Sequence, residues 1–295
     1  MSRPSPLVVF ITGTSSGIGE ALALHRARLG DTVFATMRNL DAGSTLEKIA
    51  AEENLDLRLL ALDLTDDESV TRAVSDALDQ TGHIDVLINN AGISTIQTVE
   101  GSLAAARETF EVNYFGMLKT ITAVLPSMRE RRSGTIINVS SVTGVVANAG
   151  SGAYAASKHA IEAMSESLAL EVISLGIRVI ILEPGFIATP IFPKAQGGEP
   201  PSGPYAKHIR RGRLIYSDPA KRAMPAVTVA EVVAGALTDP EPKLRYYAGS
   251  AKPLMHGRRR TSDEEWLSLG QVADDDDEAW FALIAKTVNL ALVEE

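Results

Sequence analysis

Residues Leu7 to Gly19 read LVVFITGTSSGIG and join an apolar run to a turn rich in glycine and serine. The first five are a continuous run of aliphatic, β-branched and aromatic side chains, which is typical of a strand buried on both faces of a parallel sheet. Glu20 to Leu29 then carry apolar side chains at helical spacing and end at Gly30. A strand, a turn of small residues and a helix in this order predict a site for a nucleotide phosphate, because N–H groups at the helix start face the anion.

The rest of the chain continues the alternation of strands and helices. Strand patterns recur at 32–37, 57–62, 85–88, 134–139 and 177–182, with a last strand at 243–247. Helical patterns occupy 41–54, 66–80, 102–131, 152–175 and 229–237. This order predicts an α/β fold in one domain, residues 1–295: a Rossmann-like doubly wound parallel sheet with helices on both faces and a C-terminal helical extension at 250–295.

Composition restricts the classes of function. The net charge of −9 argues against a nucleic-acid partner, since phosphate contacts need a basic surface. The chain has no cysteine, and its five histidines show no metal-ligand spacing, so no metal site is expected. No apolar run approaches the ~18 residues that a membrane span needs. Without a signal-peptide core at the N-terminus, a cytoplasmic location is expected.

A phenol and an ammonium group lie four residues apart in the stretch SGAYAASK, Ser151 to Lys158. On a helix, positions i and i+4 share a face, so Lys158 lies one turn beyond Tyr154. A cation near a phenol favours the phenolate, which lowers the pKa of the phenol and suits it to general acid and base catalysis. Taken alone, this spacing is common on solvated helices, and the neighbouring motifs give it its weight.

Three motifs occur together: TGTSSGIG at 12–19, NNAG at 89–92 and YAASK at 154–158. With them the chain resembles the short-chain dehydrogenase/reductase family over residues 7–189. ATMR at 35–38 and KLRYY at 243–247 are similar to the branch that contains 17β-hydroxysteroid and retinol dehydrogenases. The resemblance implies an oxidoreductase that interconverts a ketone or aldehyde and an alcohol with a nicotinamide cofactor.

The resemblance implies four catalytic residues. Tyr154 is expected to protonate the carbonyl oxygen, while Lys158 lowers the Tyr154 pKa and binds the nicotinamide ribose. Ser141 is expected to hydrogen-bond the substrate oxygen, and it is preferred to Ser140 because thirteen positions separate it from Tyr154, the interval usual in the family. Asn113 interrupts a helix and is expected to open it and hold a water that relays protons. The structural alternatives are caps at a strand end for the serines and a tolerated polar residue for Asn113.

The resemblance also implies where the cofactor binds. Arg38 ends the second predicted strand with no carboxylate before it, so its guanidinium favours a ribose 2′-phosphate and predicts a preference for NADP(H) over NAD(H). A surface arginine, or an ion pair with Asp41, is the alternative. Asp63 is expected at the adenine amino group or, alternatively, as a cap. The cofactor-binding residues expected are Gly13, Ser15, Ser16, Gly17, Ile18, Gly19, Arg38, Asp63, Leu64, Asn90, Ala91, Gly92, Tyr154, Lys158, Pro184, Gly185, Ile187 and Thr189.

Residues 191–225 are rich in proline and glycine and include a basic segment at 207–213. The family has a substrate-binding lid in this region, and one is expected here. The basic segment is either a solvated helix or a contact for an acidic substrate, an acyl-carrier partner or the cofactor phosphates. The final predicted helix, 280–292, is apolar on too many sides for a free surface. It should pack on the core, on a partner subunit or at the mouth of the pocket.

Branch resemblance implies a small-molecule carbonyl or alcohol substrate of hydrophobic type: a steroid, a retinoid or a lipid. The family also implies a homodimer or homotetramer, and the small apolar face of the helix at 152–175 suits contact with a second subunit. Two other functions stay open. One is a 3-oxoacyl-carrier-protein reductase, and the other is a non-catalytic nucleotide-binding sensor.

Overall fold

The computed structural model describes residues 5–191, 202–215 and 223–288. The strands are β1 Val8–Thr12, β2 Thr32–Met37, β3 Leu57–Ala61, β4 Val86–Asn89, β5 Gly134–Val139, β6 Ile177–Pro184 and β7 Arg245–Ala248. They pair in parallel in the order β3-β2-β1-β4-β5-β6-β7. The predicted doubly wound sheet is confirmed. Since the strand order reverses between β1 and β4, the loops that follow these two strands diverge and leave a crevice.

The helices are α1 Gly17–Arg28, α2 Ser44–Glu53, α3 Asp67–Thr81, α4 Leu103–Phe110, α5 Gly116–Arg131, α6 Gly152–Val172, α7 Ala206–Ile215, α8 Ala226–Thr238, α9 Ala251–Arg260, α10 Asp263–Ser268 and α11 Asp277–Val288. The helices α1, α2, α3, α6 and α8 agree with the predicted ones to within a few residues, and α11 begins within three residues of its predicted start, whereas no bounds were predicted for α7, α9 and α10. The predicted helix at 102–131 differs, because a π-helical turn at Glu111–Phe115 separates α4 from α5. The predicted C-terminal extension is helical through α11, and residues 289–295 lie outside the described residues.

The sheet is buried on both faces. Phe10 packs in a cluster with side chains of α3, α5 and α6, whereas Val9 and Ile11 pack in a second cluster with α1, α2 and α8. This alternation follows from the strand geometry, in which successive side chains point to opposite faces. Because each core side chain contributes about 1.5–3 kcal/mol by burial, a strand covered on both faces is apolar throughout. The continuous run of β1 therefore has a direct structural cause.

Four buried polar side chains form a ladder through the core on the side of α5 and α6. Asn89 of β4 donates to Asn138 of β5 at 2.9 Å, and Asn138 donates to Ser165 of α6 at 2.9 Å. Thr120 of α5 donates to Asn89 at 2.5 Å. Each of these amides is satisfied by the next group, so the ladder ties two strands to two helices without leaving an unpaired dipole.

The basic segment lies in α7 and faces the C-terminal extension. Arg211 is 1% exposed, and its guanidinium lies 5.3 Å from the centroid of the Trp280 ring. Its Nε lies 3.1 Å from Oδ1 of Asp277. Lys207 pairs with Asp274 at 2.9 Å. The interpretation of this segment as a solvated helix is therefore wrong, because these cations are paired with acids of the same chain. They are likewise not a free basic patch for an acyl-carrier partner.

The described part of the final helix packs on other helices of the same chain. α11 packs on α9, and the hydroxyl of Thr261 donates to the carbonyl of Thr287 at 2.6 Å. Trp280 is 9% exposed beneath α7. α9 in turn carries Ala251 and Met255 against the loop that follows β5. The extension thus connects α7 to the carboxyl edge of the sheet.

Candidate active site

Three glycines shape the loop between β1 and α1. Gly13 and Gly17 have φ of +72° and +66°, which favour glycine, and a Cβ at Gly13 would lie 2.7 Å from the Cα of Ala91. A Cβ at Gly17 would lie 3.2 Å from Thr189. A Cβ at Gly19 would lie 2.1 Å from the Gly13 carbonyl oxygen, so α1 could not approach the loop this closely with any other residue.

Asn90 and Thr12 hold this loop in place. The side-chain amide of Asn90 donates to the carbonyl groups of Thr12 and Gly13, both at 2.9 Å. The hydroxyl of Thr12 accepts from the N–H groups of Asn90 and Ala91, both at 3.0 Å. The NNAG motif therefore joins the loop after β4 to the loop after β1, on the two sides of the crevice.

A cleft of about 480 Å³ opens at this carboxyl edge. Of the residues predicted for the site, all line it except Gly19 and Asn113, which lie behind its wall. Eleven of the lining residues were not predicted as site residues, although Ser140 was considered beside Ser141: Met37, Leu62, Ile93, Ser94, Thr95, Glu108, Val112, Val139, Ser140, Pro190 and Ile191. Most of these adjoin a recognised motif in sequence, so extending each motif by two or three positions would have found them.

Tyr154, Lys158 and Ser141 meet on one wall of the cleft. Tyr154 is 8% exposed and Lys158 is 4% exposed on successive turns of α6. The ammonium of Lys158 donates to the carbonyl of Val139 at 2.9 Å and lies 5.6 Å from the centroid of the Tyr154 ring. The hydroxyl of Ser141 accepts from the N–H of Thr143 at 3.2 Å. These three side chains come from α6 and from the end of β5, as the motif spacing predicts.

Burial dominates the ionisation of both groups on α6. Burial raises the pKa of Tyr154 above its usual value, and hydrogen bonding with the side chains of Ser141 and Thr143 opposes this rise. The Lys158 ammonium is directed at the Val139 carbonyl, and burial dominates the Tyr154 pKa, so the lowering of this pKa by Lys158 stays a prediction. Burial lowers the pKa of Lys158 to about 8, and the charge of Glu162 raises it in part.

Asn113 occupies the π-helical turn and is completely buried. Its Oδ1 accepts from the N–H of Ile93 at 2.8 Å, and its Nδ2 donates to the Ile93 carbonyl and to the Ser157 hydroxyl, both at 3.0 Å. The expected opening of the helix is present as this turn, a feature that often marks functional sites. The side-chain amide is fully engaged in joining the turn to the NNAG loop and to α6.

Arg38 and Asp63 lie at the far end of the cleft. Arg38 is exposed at the end of β2, and none of the ion pairs in the described part of the chain joins it to Asp41. Oδ1 of Asp63 accepts from the N–H and hydroxyl of Thr65 at 2.9 and 2.8 Å. The Thr65 hydrogen bonds lower the pKa of Asp63 most, and the charge of Arg38 lowers it further. The two side chains are therefore electrostatic neighbours at the adenosine end of the expected cofactor site.

Within residues 5–191, 202–215 and 223–288, no group of three or more His, Asp or Glu side chains could hold a metal ion. No helix in these ranges is long and apolar enough to cross a bilayer.

Known proteins with related sequences match most of the chain. Retinol dehydrogenase 8 of Bos taurus is 43% identical over 190 residues, which are 63% of this chain and 60% of that protein. The chain thus matches less than two thirds of that relative's length. The 17-beta-hydroxysteroid dehydrogenase type 1 of Mus musculus is 34% identical over 275 residues, 88% of this chain and 78% of that protein.

A solved structure gives the same result for the fold. The crystal structure of a short-chain dehydrogenase from Streptomyces avermitilis superposes with a TM-score of 0.78 at 33% identity, covering 92% of this chain and 97% of that one. The family model for short chain dehydrogenases matches residues 7–199, which hold the glycine-rich loop, the NNAG motif and the Tyr154–Lys158 pair. On this sequence, fold and cleft, the chain belongs to the short-chain dehydrogenase/reductase family of oxidoreductases.

Proposed function

We propose that this chain is an NADP(H)-dependent oxidoreductase that interconverts a ketone or aldehyde and an alcohol on a hydrophobic substrate. The observation that carries the proposal is the grouping of Ser141, Tyr154 and Lys158 on one wall of a cleft whose other wall is the glycine-rich loop. A non-catalytic nucleotide sensor would need the loop but none of these three side chains. Their grouping therefore favours catalysis.

The residues of the cleft fit a nicotinamide dinucleotide. The loop from Gly13 to Gly19 packs so closely that added Cβ atoms would collide with backbone, and it presents the N-terminus of α1 to the cleft, as a pyrophosphate requires. We propose that this loop holds the pyrophosphate and that Asp63 lies at the adenine. Lys158 would bind the nicotinamide ribose, and the segment from Pro184 to Thr189 would border the nicotinamide.

When bound, the nicotinamide supplies or accepts a hydride. In the reductive direction, Tyr154 donates its phenolic proton to the carbonyl oxygen, and Ser141 hydrogen-bonds the same oxygen. The raised pKa of Tyr154 keeps the proton on the phenol until a substrate oxygen receives charge. Lys158, as an ammonium, stabilises the phenolate that remains. We propose that Asn113 keeps the π-helical turn open for a water that returns the proton.

We infer the preference for NADP(H) from Arg38. Its guanidinium is exposed on the cleft, lies near Asp63 and has no carboxylate before it on β2. An arginine in this place can form charge-assisted bonds with a 2′-phosphate. Losing such bonds costs about 1.5–3 kcal/mol, so Arg38→Ala should weaken NADPH binding about 10- to 100-fold and leave NADH binding nearly unchanged. Arg72→Ala is the matched control, since Arg72 is exposed on α3 outside the cleft.

The substrate class rests on the relatives and on the lining of the cleft. Retinol and 17-beta-hydroxysteroids appear in the names of two relatives. Ile93, Val112 and Ile191 contribute apolar side chains to this cleft. We therefore propose a steroid, a retinoid or another lipid-like alcohol or ketone as the substrate.

The test is NADPH and NADH consumption, measured by absorbance, over a panel of aliphatic, aromatic, retinoid and steroid carbonyl compounds. Tyr154→Phe should reduce turnover about 10²- to 10⁴-fold while cofactor binding is kept. Tyr246→Phe is the control, because the Tyr246 hydroxyl donates to Asp239 at 2.7 Å away from the cleft. Full turnover by Tyr154→Phe would refute the acid assignment. Cofactor binding without turnover of any carbonyl would favour the sensor.

We also propose that residues 191–225 form a lid over the substrate. Its described part, α7, packs on the cleft edge: a Cβ at Gly212 would lie 3.7 Å from Ile96, next to Thr95. Residues 192–201 and 216–222 lie outside the described residues.

A homodimer or homotetramer and a cytoplasmic location remain parts of the proposal. On α6, Leu168 packs inward while Ala156 and Ala163 are exposed, and a sizing column would test the subunit number.

A further inference from the structure

Two carboxyl groups are buried behind the wall that carries Lys158. Glu183 is 0% exposed in β6, just before Pro184, and Glu162 is 7% exposed on α6, one turn after Lys158. Arg245 of β7 contacts both: its Nη2 lies 3.1 Å from Glu162 Oε2, and its Nε lies 3.3 Å from Glu183 Oε1. We call Glu162 and Glu183 the rear carboxyl pair.

The charges around this pair do not balance. Arg245 also pairs with Glu166 at 2.5 Å, so one guanidinium is the ion-pair partner of three carboxyl groups. The charge of Arg259 on α9 also acts on Glu183, from further away. Glu183 accepts no hydrogen bond from the described residues at either oxygen, and Glu162 accepts none at Oε1. Two buried carboxylates in contact cannot both stay ionised cheaply. A proton held between them removes the excess charge and supplies the missing hydrogen bond.

The ionisation of Glu183 agrees with this geometry. Burial, followed by the charge of Glu162, raises the pKa of Glu183 to about 8, although Arg245 and Arg259 lower it. Near neutral pH the rear carboxyl pair therefore carries one proton and one negative charge.

The pair lies directly against the catalytic wall. Gly144 packs closely against both sides: a Cβ there would lie 2.7 Å from the Ser140 hydroxyl and 3.0 Å from Oε1 of Glu162. Glu162 follows Lys158 by four residues on α6, which places both side chains on one helix face. The charge of Glu162 acts on Lys158 against the effect of burial.

We propose that the rear carboxyl pair shares one proton and, through its single negative charge, keeps Lys158 an ammonium at neutral pH. Glu162 and Glu183 are thus positioning residues that act through Lys158 rather than on the substrate. The inference rests on the proposed function, in which the Tyr154 phenolate needs a charged lysine. Besides the pair itself, the titratable groups that bear on Lys158 and the pair are Tyr154, Glu166, Arg245 and Arg259.

Infrared spectroscopy of the protein without substrate tests the shared proton. The wild type should show a protonated carboxyl band at neutral pH that disappears as the pH rises through about 8. Glu162→Gln and Glu183→Gln should each lose the band at neutral pH, because the like charge that holds the proton together with burial is gone, while Arg245 stays beside the remaining carboxylate. Glu171→Gln, an exposed position on the same helix, should keep it. Retention of the band in both single variants would overturn the proposal.

The pH profile of kcat tests the effect on Lys158. Each single variant leaves one negative charge in the cluster at neutral pH, so its profile should stay close to that of the wild type. The double variant removes the charge and should move the limb due to Lys158 down by about one pH unit. Equal and additive shifts in the single variants would contradict a shared proton. If no variant, nor the wild type, turns over any carbonyl, the proposed function fails, while the infrared result still decides this inference.

Discussion

Arg211 anchors the C-terminal extension, and Arg211→Ala is the perturbation that tests this most directly. The guanidinium is directed into the turn that precedes α11. It donates to Val272, Ala273 and Asp276 carbonyl groups and to the Asp277 carboxylate at 2.6–3.3 Å. Truncation would leave these acceptors without their shared donor and would remove the stacking on Trp280.

The magnitude follows from the burial of the two charges. Removing one partner of a fully buried ion pair costs about 3–5 kcal/mol. Arg211 is fully buried but the side chain of Asp277 is 28% exposed, so the lower end of this range applies. A loss of about 3 kcal/mol corresponds to about a hundredfold rise in the opening of the extension. Arg210→Ala should cost about 0–1 kcal/mol, because the Arg210 side chain is 39% exposed.

Hydrogen exchange measured by mass spectrometry resolves this opening. In Arg211→Ala, amides of α10 and α11 should exchange about a hundredfold faster, while the amides of β1 and β4 keep their protection. Arg211→Lys should give an intermediate value, since an ammonium keeps the charge but loses the planar fork. Unchanged exchange of α11 in Arg211→Ala would refute the reasoning, because the extension would then be held by apolar contacts alone.

Three further predictions concern the site. Gly19→Ala should destabilise the chain by about 1–3 kcal/mol and abolish cofactor binding, because its Cβ would lie 2.1 Å from the Gly13 carbonyl oxygen. Thermal melts measure the stability and fluorescence titration measures the binding. Unimpaired binding would contradict the close approach. Asn113→Ala should cost about 1–3 kcal/mol by leaving the N–H and carbonyl of Ile93 unpaired, and a melting temperature equal to that of the wild type would count against it. Because the pKa of Glu183 is raised, the folded state holds a proton that the unfolded state has lost between pH 4.5 and about 8. The free energy of unfolding of the wild type should therefore fall relative to that of Glu183→Gln as the pH rises through this range. A stability difference between the two proteins that does not change with pH would contradict the prediction.

The sheet and most of the cleft could be predicted because their causes are local in sequence. A strand covered on both faces must be apolar at every position, and the run before Thr12 satisfies this directly. Gly13 and Gly19 allow close approaches that a Cβ would block, and Gly17 adopts a positive φ that favours glycine. The sequence also indicates an interruption of the helix at the π-helical turn, because Asn113 and Gly116 lie among good helix formers.

Features that depend on distant partners could not be predicted. The Asp277 carboxylate lies 66 residues beyond Arg211, and a basic run by itself suggests a solvated helix. The raised pKa of Tyr154 could not be predicted, because its largest cause is burial, which is a property of the packed structure and not of the spacing to Lys158. Glu183 likewise reads as part of a proline-glycine turn until β7 brings Arg245 beside it.

The polar ladder of Asn89, Asn138, Thr120 and Ser165 has a consequence for how the chain folds. Aliphatic side chains precede the asparagine in both β4 and β5, so burial alone distinguishes poorly between neighbouring alignments of the two strands. A slip by one residue would bring Asn89 opposite Ile137 or Val139 and turn one strand over, which would bury two amides without partners. The ladder therefore disfavours the slipped alignments and selects the one in which the ends of β4 and β5 both reach the cleft.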